Sequence, residues 1–133
     1  MKSVFLTSVL SVLLSNHTPT ISIKRPDKLP EKCPSIVSLA SQGLDHVVPF
    51  MLGNSWIGVK ENSYYDTKDT WSFIVFANNN SKNSREAMQQ LSKEISSFYP
   101  GSGPEWENDL GVAYCEYETN SDDVAVTFSP SLY

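Results

Sequence analysis

Acid–base or nucleophilic chemistry in this chain would begin from His17, His46, Cys33 and Cys115, its only histidines and cysteines. Of the two imidazoles, only His46 falls within the segment that reads as a folded domain. A serine hydrolase would need it beside a hydroxyl and a carboxylate. No G-x-S-x-G elbow accompanies it, and Gly101-Ser102-Gly103 lacks the strand-to-helix context that presents a nucleophile. A Cys–His enzyme would need one cysteine kept as a free thiol, in direct competition with pairing of the two. Carboxylates are plentiful, with Glu105, Glu107 and Asp109 in one group, Glu116 and Glu118 in a second, and Asp122 with Asp123 in a third. A glycosidase pair would need two of them about 5–10 Å apart across a cleft, and so small a sheet domain offers no evident way to form one. Neither the spacing of a calcium loop nor that of a zinc site is present, so no metal, cofactor or catalytic residue is expected. The alternative is a small hydrolase using His46 with a nearby carboxylate.

Aromatic side chains carry the better signal. Trp56, Trp71, Phe73 and Phe76 fit strand patterns and read as core. Tyr64-Tyr65 beside Asp66, and Trp106 between Glu105 and Glu107, fall in segments that read as loops, where burial is not required. Tyr and Trp supply large, fairly rigid contact area and are enriched at interaction hot spots. Tyr64, Tyr65 and Trp106 are therefore the candidate binding residues, and half-buried loop anchors are the competing explanation.

The elements that must position these groups can be read along the chain. With 133 residues, 40% apolar and 19% charged, it has the size of one domain with one core. Pro34 to Gln42 reads as a short helix, with Pro34 at its first position, an Ile36, Val37, Leu39, Ala40 stripe and Gly43 beyond its end. His46 to Leu52 and Ser55 to Glu61 flank Gly53-Asn54 as an edge hairpin, with Pro49 on the outer strand. Tyr64 to Asp69 is a polar turn. Trp71 to Phe76 is apolar on both faces, as a central strand would be. Asn83 with Glu86 opens a helix bearing Met88, Leu91, Ile95 and Phe98 on one side, and Pro100 to Pro104 stops it. Gly111 to Glu118 and Val124 to Ser129 form a closing hairpin around Thr119 to Asp122.

These elements predict an α+β fold, an antiparallel sheet of about four to five strands with two helices packed on one face and the other face free. Shifting residues 57–75 by 53 lays Ile57-Gly58-Val59 over Leu110-Gly111-Val112 and Trp71, Phe73, Val75 over Val124, Val126, Phe128. That points to a tandem αββ pseudo-repeat.

The start of the chain has a different character. Lys2 precedes the apolar run Val4 to Leu14 and then polar residues, the layout of a secretory signal peptide ending near residue 20. An apolar run of this length also suits a buried core segment. Residues 21–32 read as an extended arm, and residues 33–133 as the single domain. Met1 to Lys32 holds five Lys/Arg against two acids, whereas Cys33 to Tyr133 holds five against thirteen, a net of −8. So acidic a body repels phosphate, which excludes nucleic acid as a partner. Lys24, Arg25, Lys28 and Lys32 leave anionic lipid as a partner for the arm alone. In an oxidising compartment Cys33 and Cys115 would close one long loop as a disulfide, and in a reducing one they would be two buried thiols.

Cys33-Pro34-Ser35-Ile36, the Tyr65-Asp66-Thr67 turn into Trp71-Ser72-Phe73, the capped helix, and Cys115-Glu116-Tyr117 with Ala125-Val126 together resemble a family of small exported Legionella proteins of unknown function. The resemblance spans residues 33–130. Some proteins of this kind are type II secretion substrates that act during infection, so it implies export and an accessory or effector role, and it carries over no catalytic residue. The expectation is a secreted binding protein directed at a protein or glycan surface.

Overall fold

The computed structural model describes residues 28–50 and 55–133. The leader, residues 21–27 of the arm with Lys24 and Arg25, and the Gly53-Asn54 loop lie outside the described residues.

Helix α1 runs Ile36–Gln42 and begins two residues later than expected, because Ser35 takes the N-cap and accepts a hydrogen bond from Ser38 N–H at 3.1 Å. Pro34 is thereby left in front of the helix. Gly43 ends it at φ 68°, a positive φ that glycine adopts without steric cost, and its N–H donates to the Leu39 carbonyl oxygen. The chain continues through strands β1 (His46–Pro49), β2 (Ser55–Ser63) and β3 (Trp71–Asn78). Helix α2 covers Ser84–Glu94, capped as its sequence predicts by Asn83, whose Oδ1 accepts from Glu86 N–H at 2.9 Å. A 3₁₀ turn at Ile95–Ser97 leads into β4 (Tyr99–Glu107), β5 (Val112–Glu118) and β6 (Val124–Ser129).

All six strands form one antiparallel sheet in the order β1-β2-β3-β6-β5-β4. The expected α+β architecture holds, with one strand more than the sequence suggested. The addition is β4, built from the Pro/Gly-rich segment that reads as a helix stop. It sits at a sheet edge, where proline's missing N–H breaks no ladder, and its register shifts twice, between Pro100 and Ser102 and between Ser102 and Glu105. Gly103 makes this pairing feasible. It adopts φ 110°, and a Cβ there would lie 2.6 Å from the Tyr114 carbonyl oxygen. Gly103→Ala should accordingly cost about 1–3 kcal/mol, read as a lowered urea midpoint with an unchanged slope.

The order of strands gives the repeat its true form. α1-β1-β2-β3 and α2-β4-β5-β6 are two αβββ halves that meet at the central β3–β6 pair. The shift of 53 matches β2 to β5 with the same face inward, but it lays Trp71 and Phe73, on the helix side, over Val124 and Val126, on the opposite side. A strand matched one residue out of step presents its opposite face. The irregularity between Lys60 and Ser63 in β2 supplies the odd residue.

On one face, Leu39 from α1 and Leu91, Ile95 and Phe98 from the α2 region pack on Trp71, Phe73, Val75 and Tyr117. The other face was expected to be free and is not. Ile57, Val59, Ile74, Val126 and Phe128 are buried there, with Phe50, Leu132, Leu110 and Tyr133 among the residues packed against them. Trp71 to Ala77 is apolar on both sides because both sides are covered. Both faces of the sheet are therefore covered, and its exposed groups lie on the loops and edges.

Candidate functional site

Trp71, the first residue of β3, sets the position of the turn before it. Its buried indole N–H donates to Thr67 Oγ1 at 2.8 Å. That hydroxyl also accepts from Asp69 N–H, and lies 2.9 Å from the Tyr64 carbonyl and 3.1 Å from that of Asp69. Thr67 N–H closes the turn onto Tyr64 O at 3.0 Å. Tyr65 takes a left-handed φ of 52°, uncommon for a bulky residue, and its N–H donates to Ser63 Oγ. The reversed backbone sends the adjacent tyrosines different ways. Tyr64 stands 60% exposed, whereas Tyr65 is half-buried against the helix-side core.

Tyr65 thus has the half-buried setting of a loop anchor. Its hydroxyl is buried with no hydrogen-bond partner among the described residues, and burial, with Asp45 and Tyr117 as secondary causes, pushes its pKa upward. Trp106 also differs from its expected setting. It belongs to β4 rather than to a loop, stands opposite buried Ala113, and is half-buried. Of the three candidate residues, Tyr64 alone presents an open ring.

The end of the arm and the cap of α1 reach the Tyr64 turn through Asp66. Asp66 accepts from Ser35 N–H at 3.0 Å, one residue before α1, and its carboxylate lies 3.9 Å from Lys32 Nζ. Burial works to raise the Asp66 pKa, but the Ser35 hydrogen bonds and the Lys32 charge outweigh it and hold the carboxyl below its ordinary range. The Cys33–Cys115 disulfide fastens the arm to β5 with the Cα atoms 6.0 Å apart, and Tyr117 O–H donates to Pro34 O at 2.6 Å. The expected pairing of the cysteines is present. Between the arm and the turn lies a cleft of about 390 Å³ lined by residues 28–32 and 66–69. No cleft was expected in so small a sheet domain, and this one forms beside the sheet because the bridge holds the arm against the turn.

Three of the four exposed large apolar side chains among the described residues stand on the segments meeting at Asp66. They are Tyr64, Leu29 (38% exposed, lining the cleft) and Val37 (80% exposed, on the first turn of α1). By sequence Val37 belongs to the helix stripe, yet it stands exposed. Residues 36, 39 and 40 follow helical spacing on one face and 37 lies beside it, so periodicity alone carried the signal. Leu29 had no sequence signal, because its role depends on the disulfide.

The remaining candidates organise differently. His46 Nδ1 lies 3.8 Å from Glu61 Oε1, both partly exposed, so a carboxylate does accompany the imidazole. The hydroxyls of Ser72 and Ser131 donate to the Glu61 backbone carbonyl oxygen, at 2.9 and 2.5 Å, and Ser72 Oγ accepts from Leu132 N–H. They tie the C-terminus to β2 and β3. Of the arm's basic residues, Lys28 and Lys32 share the cleft with Glu31, Asp66 and Asp69 and form no basic stripe. No group of three or more His, Cys, Asp or Glu among the described residues is arranged to hold a metal, and no helix among them is long and apolar enough to cross a membrane.

One carboxyl pair has a consequence for stability. Glu94, at the end of α2, lies against Asp123, which also accepts from Asn78 N–H at 3.3 Å. Burial first, then the hydrogen bond and charge of Asp123, push the Glu94 carboxyl up to about 8. The folded protein then keeps a proton that the unfolded chain releases above the ordinary glutamate value of 4.5, so stability should decline as pH rises from about 4.5 to about 8 and level off beyond. Glu94→Gln should flatten the urea midpoint across that window, whereas a wild-type midpoint already flat there would contradict the shared proton.

No protein-family model, curated protein or solved structure matches the chain.

Proposed function

We propose that this chain is an exported, disulfide-locked binding protein that engages a protein or glycan surface, of a host cell or its surroundings, without catalysis. The contact is made by the corner where the segments that carry Tyr64, Val37 and Leu29 meet at Asp66. The observation that carries this reading is the exposure of Tyr64 on a turn held rigid by Thr67, Trp71 and Asp66. A rigid aromatic loses little entropy on binding, which is why preorganised Tyr residues make effective contacts. The disulfide supports an oxidising compartment, and the resemblance to small exported Legionella proteins adds type II secretion and an accessory or effector role in infection.

The test is adhesion of the tagged, unreduced protein to fixed eukaryotic cells. Tyr64→Ala and Val37→Ser should each reduce adhesion about tenfold or more, as loss of a hot-spot contact does. Adhesion unchanged in both variants would overturn the assignment of this corner.

A further inference from the structure

Resting on the binding role of the Tyr64 corner, we propose that the cleft beside it is a site for a neutral oligosaccharide. Its volume of about 390 Å³ stands at the low end of the roughly 300–1,000 Å³ typical of small-ligand sites, too small for a folded partner and suited to a few sugar rings at most. Its charged groups balance. Lys28, Lys32 and Lys68 face Glu31, Asp66 and Asp69. An anionic ligand would meet three carboxylates along with the ammonium groups, and a cationic one the reverse, so the cleft gives neither sign a net attraction.

A ligand that satisfies both kinds of group must donate and accept at closely spaced positions without net charge. Ammonium only donates and ionised carboxylate only accepts, whereas a hydroxyl does both, so a neutral polyol matches this lining. The apolar side chains decide which polyol. Leu29 lines the cleft and Tyr64 stands exposed on the turn that forms its wall, offering surface to the C–H faces of a pyranose ring, which a simple open-chain polyol does not present. The walls are fixed in advance. Asp66 is held by Ser35, Thr67 by Trp71, and the arm by the bridge at Cys33, so little ordering remains to be done on binding.

The experiment presents the unreduced full-length protein to an array of immobilised neutral, sialylated and sulfated oligosaccharides, together with Tyr64→Ala and Lys68→Ala. Both side chains are exposed, so both variants should keep the wild-type melting profile. The expected result is binding to neutral oligosaccharides, weakened about tenfold by Tyr64→Ala and several-fold by Lys68→Ala, and persisting at 0.5 M salt because no net charge is involved. Binding confined to sialylated or sulfated glycans and abolished by that salt would overturn the proposal. So would an array without binding while Tyr64-dependent adhesion to cells persists and is removed by protease treatment of the cells, an outcome that leaves the corner as a protein-binding surface. Absence of both array binding and cell adhesion would overturn this inference and the binding role together.

Discussion

Reduction of the Cys33–Cys115 bridge should lower the stability of the domain by about 4–5 kcal/mol, the loop-closure value for a crosslink spanning 82 residues. Domains of this size are stable by only about 5–15 kcal/mol, so the loss is roughly a quarter or more of the total. The melting temperature should fall by roughly 15–20 °C in dithiothreitol. The location of the bridge makes the effect larger for function than for the fold. Cys115 is fully buried in the centre of β5, whereas Cys33 lies just ahead of Pro34 and the Ser35 cap of α1 and holds the arm that walls the cleft. Reduction should therefore accelerate amide hydrogen exchange first at residues 28–35, ahead of β3 and β6. A melting temperature that moves by less than about 3 °C would show that the bridge restrains little. The same dependence connects structure to compartment, since a chain that loses this much on reduction has its full stability only where disulfides persist. Material recovered from culture supernatant should be lighter by two hydrogens than its reduced form.

Neighbouring tyrosines should respond to alanine in opposite ways. Tyr64→Ala should change stability by no more than about 0.5 kcal/mol, as expected of an exposed side chain, while lowering affinity for the partner surface tenfold or more. Tyr65→Ala should cost about 2–4 kcal/mol, because it removes an aromatic ring packed against the helix-side core and leaves space that the rigid turn cannot fill. Tyr65→Phe provides the control. It deletes a buried hydroxyl that finds no partner among the described residues, so it should be neutral or stabilising by up to about 1 kcal/mol. Thermal melts of the three variants check the set. A destabilised Tyr64→Ala with an unaffected Tyr65→Ala would mean that the outward and inward rings had been exchanged.

The legible parts of this fold are those decided by neighbours in sequence. Asn83 and Glu86 announce the start of α2 because a cap is a local contract between a side chain and the next turn. Trp71 to Ala77, apolar at every position except Ser72, announces a strand covered on both faces. The free sheet face expected beside it conflicted with that pattern, and the burial of Ile74 and Val126 resolves the conflict. Strand β4 was hidden because Pro100 and Pro104 argue locally for a break, and only its edge position in the finished sheet makes them tolerable. The candidate site was half legible for a similar reason. Composition identifies Tyr64 and Tyr65 as an aromatic pair in a polar turn, but the left-handed φ of Tyr65 that separates their roles depends on Thr67, Trp71 and Ser63. The cleft depends on a bridge between residues far apart in the chain, so neither Leu29 nor Lys68 carries a sequence signal of its own.

Hydrogen–deuterium exchange of the unreduced protein, free and then bound to fixed eukaryotic cells, tests the placement of the binding surface most directly. Protection on binding should concentrate at residues 28–38 and 63–69, the segments that meet at Asp66, with β4 and α2 unchanged. Protection centred on Tyr99 to Glu107 or on the exposed side of α2, with residues 63–69 exchanging as in the free protein, would contradict the account.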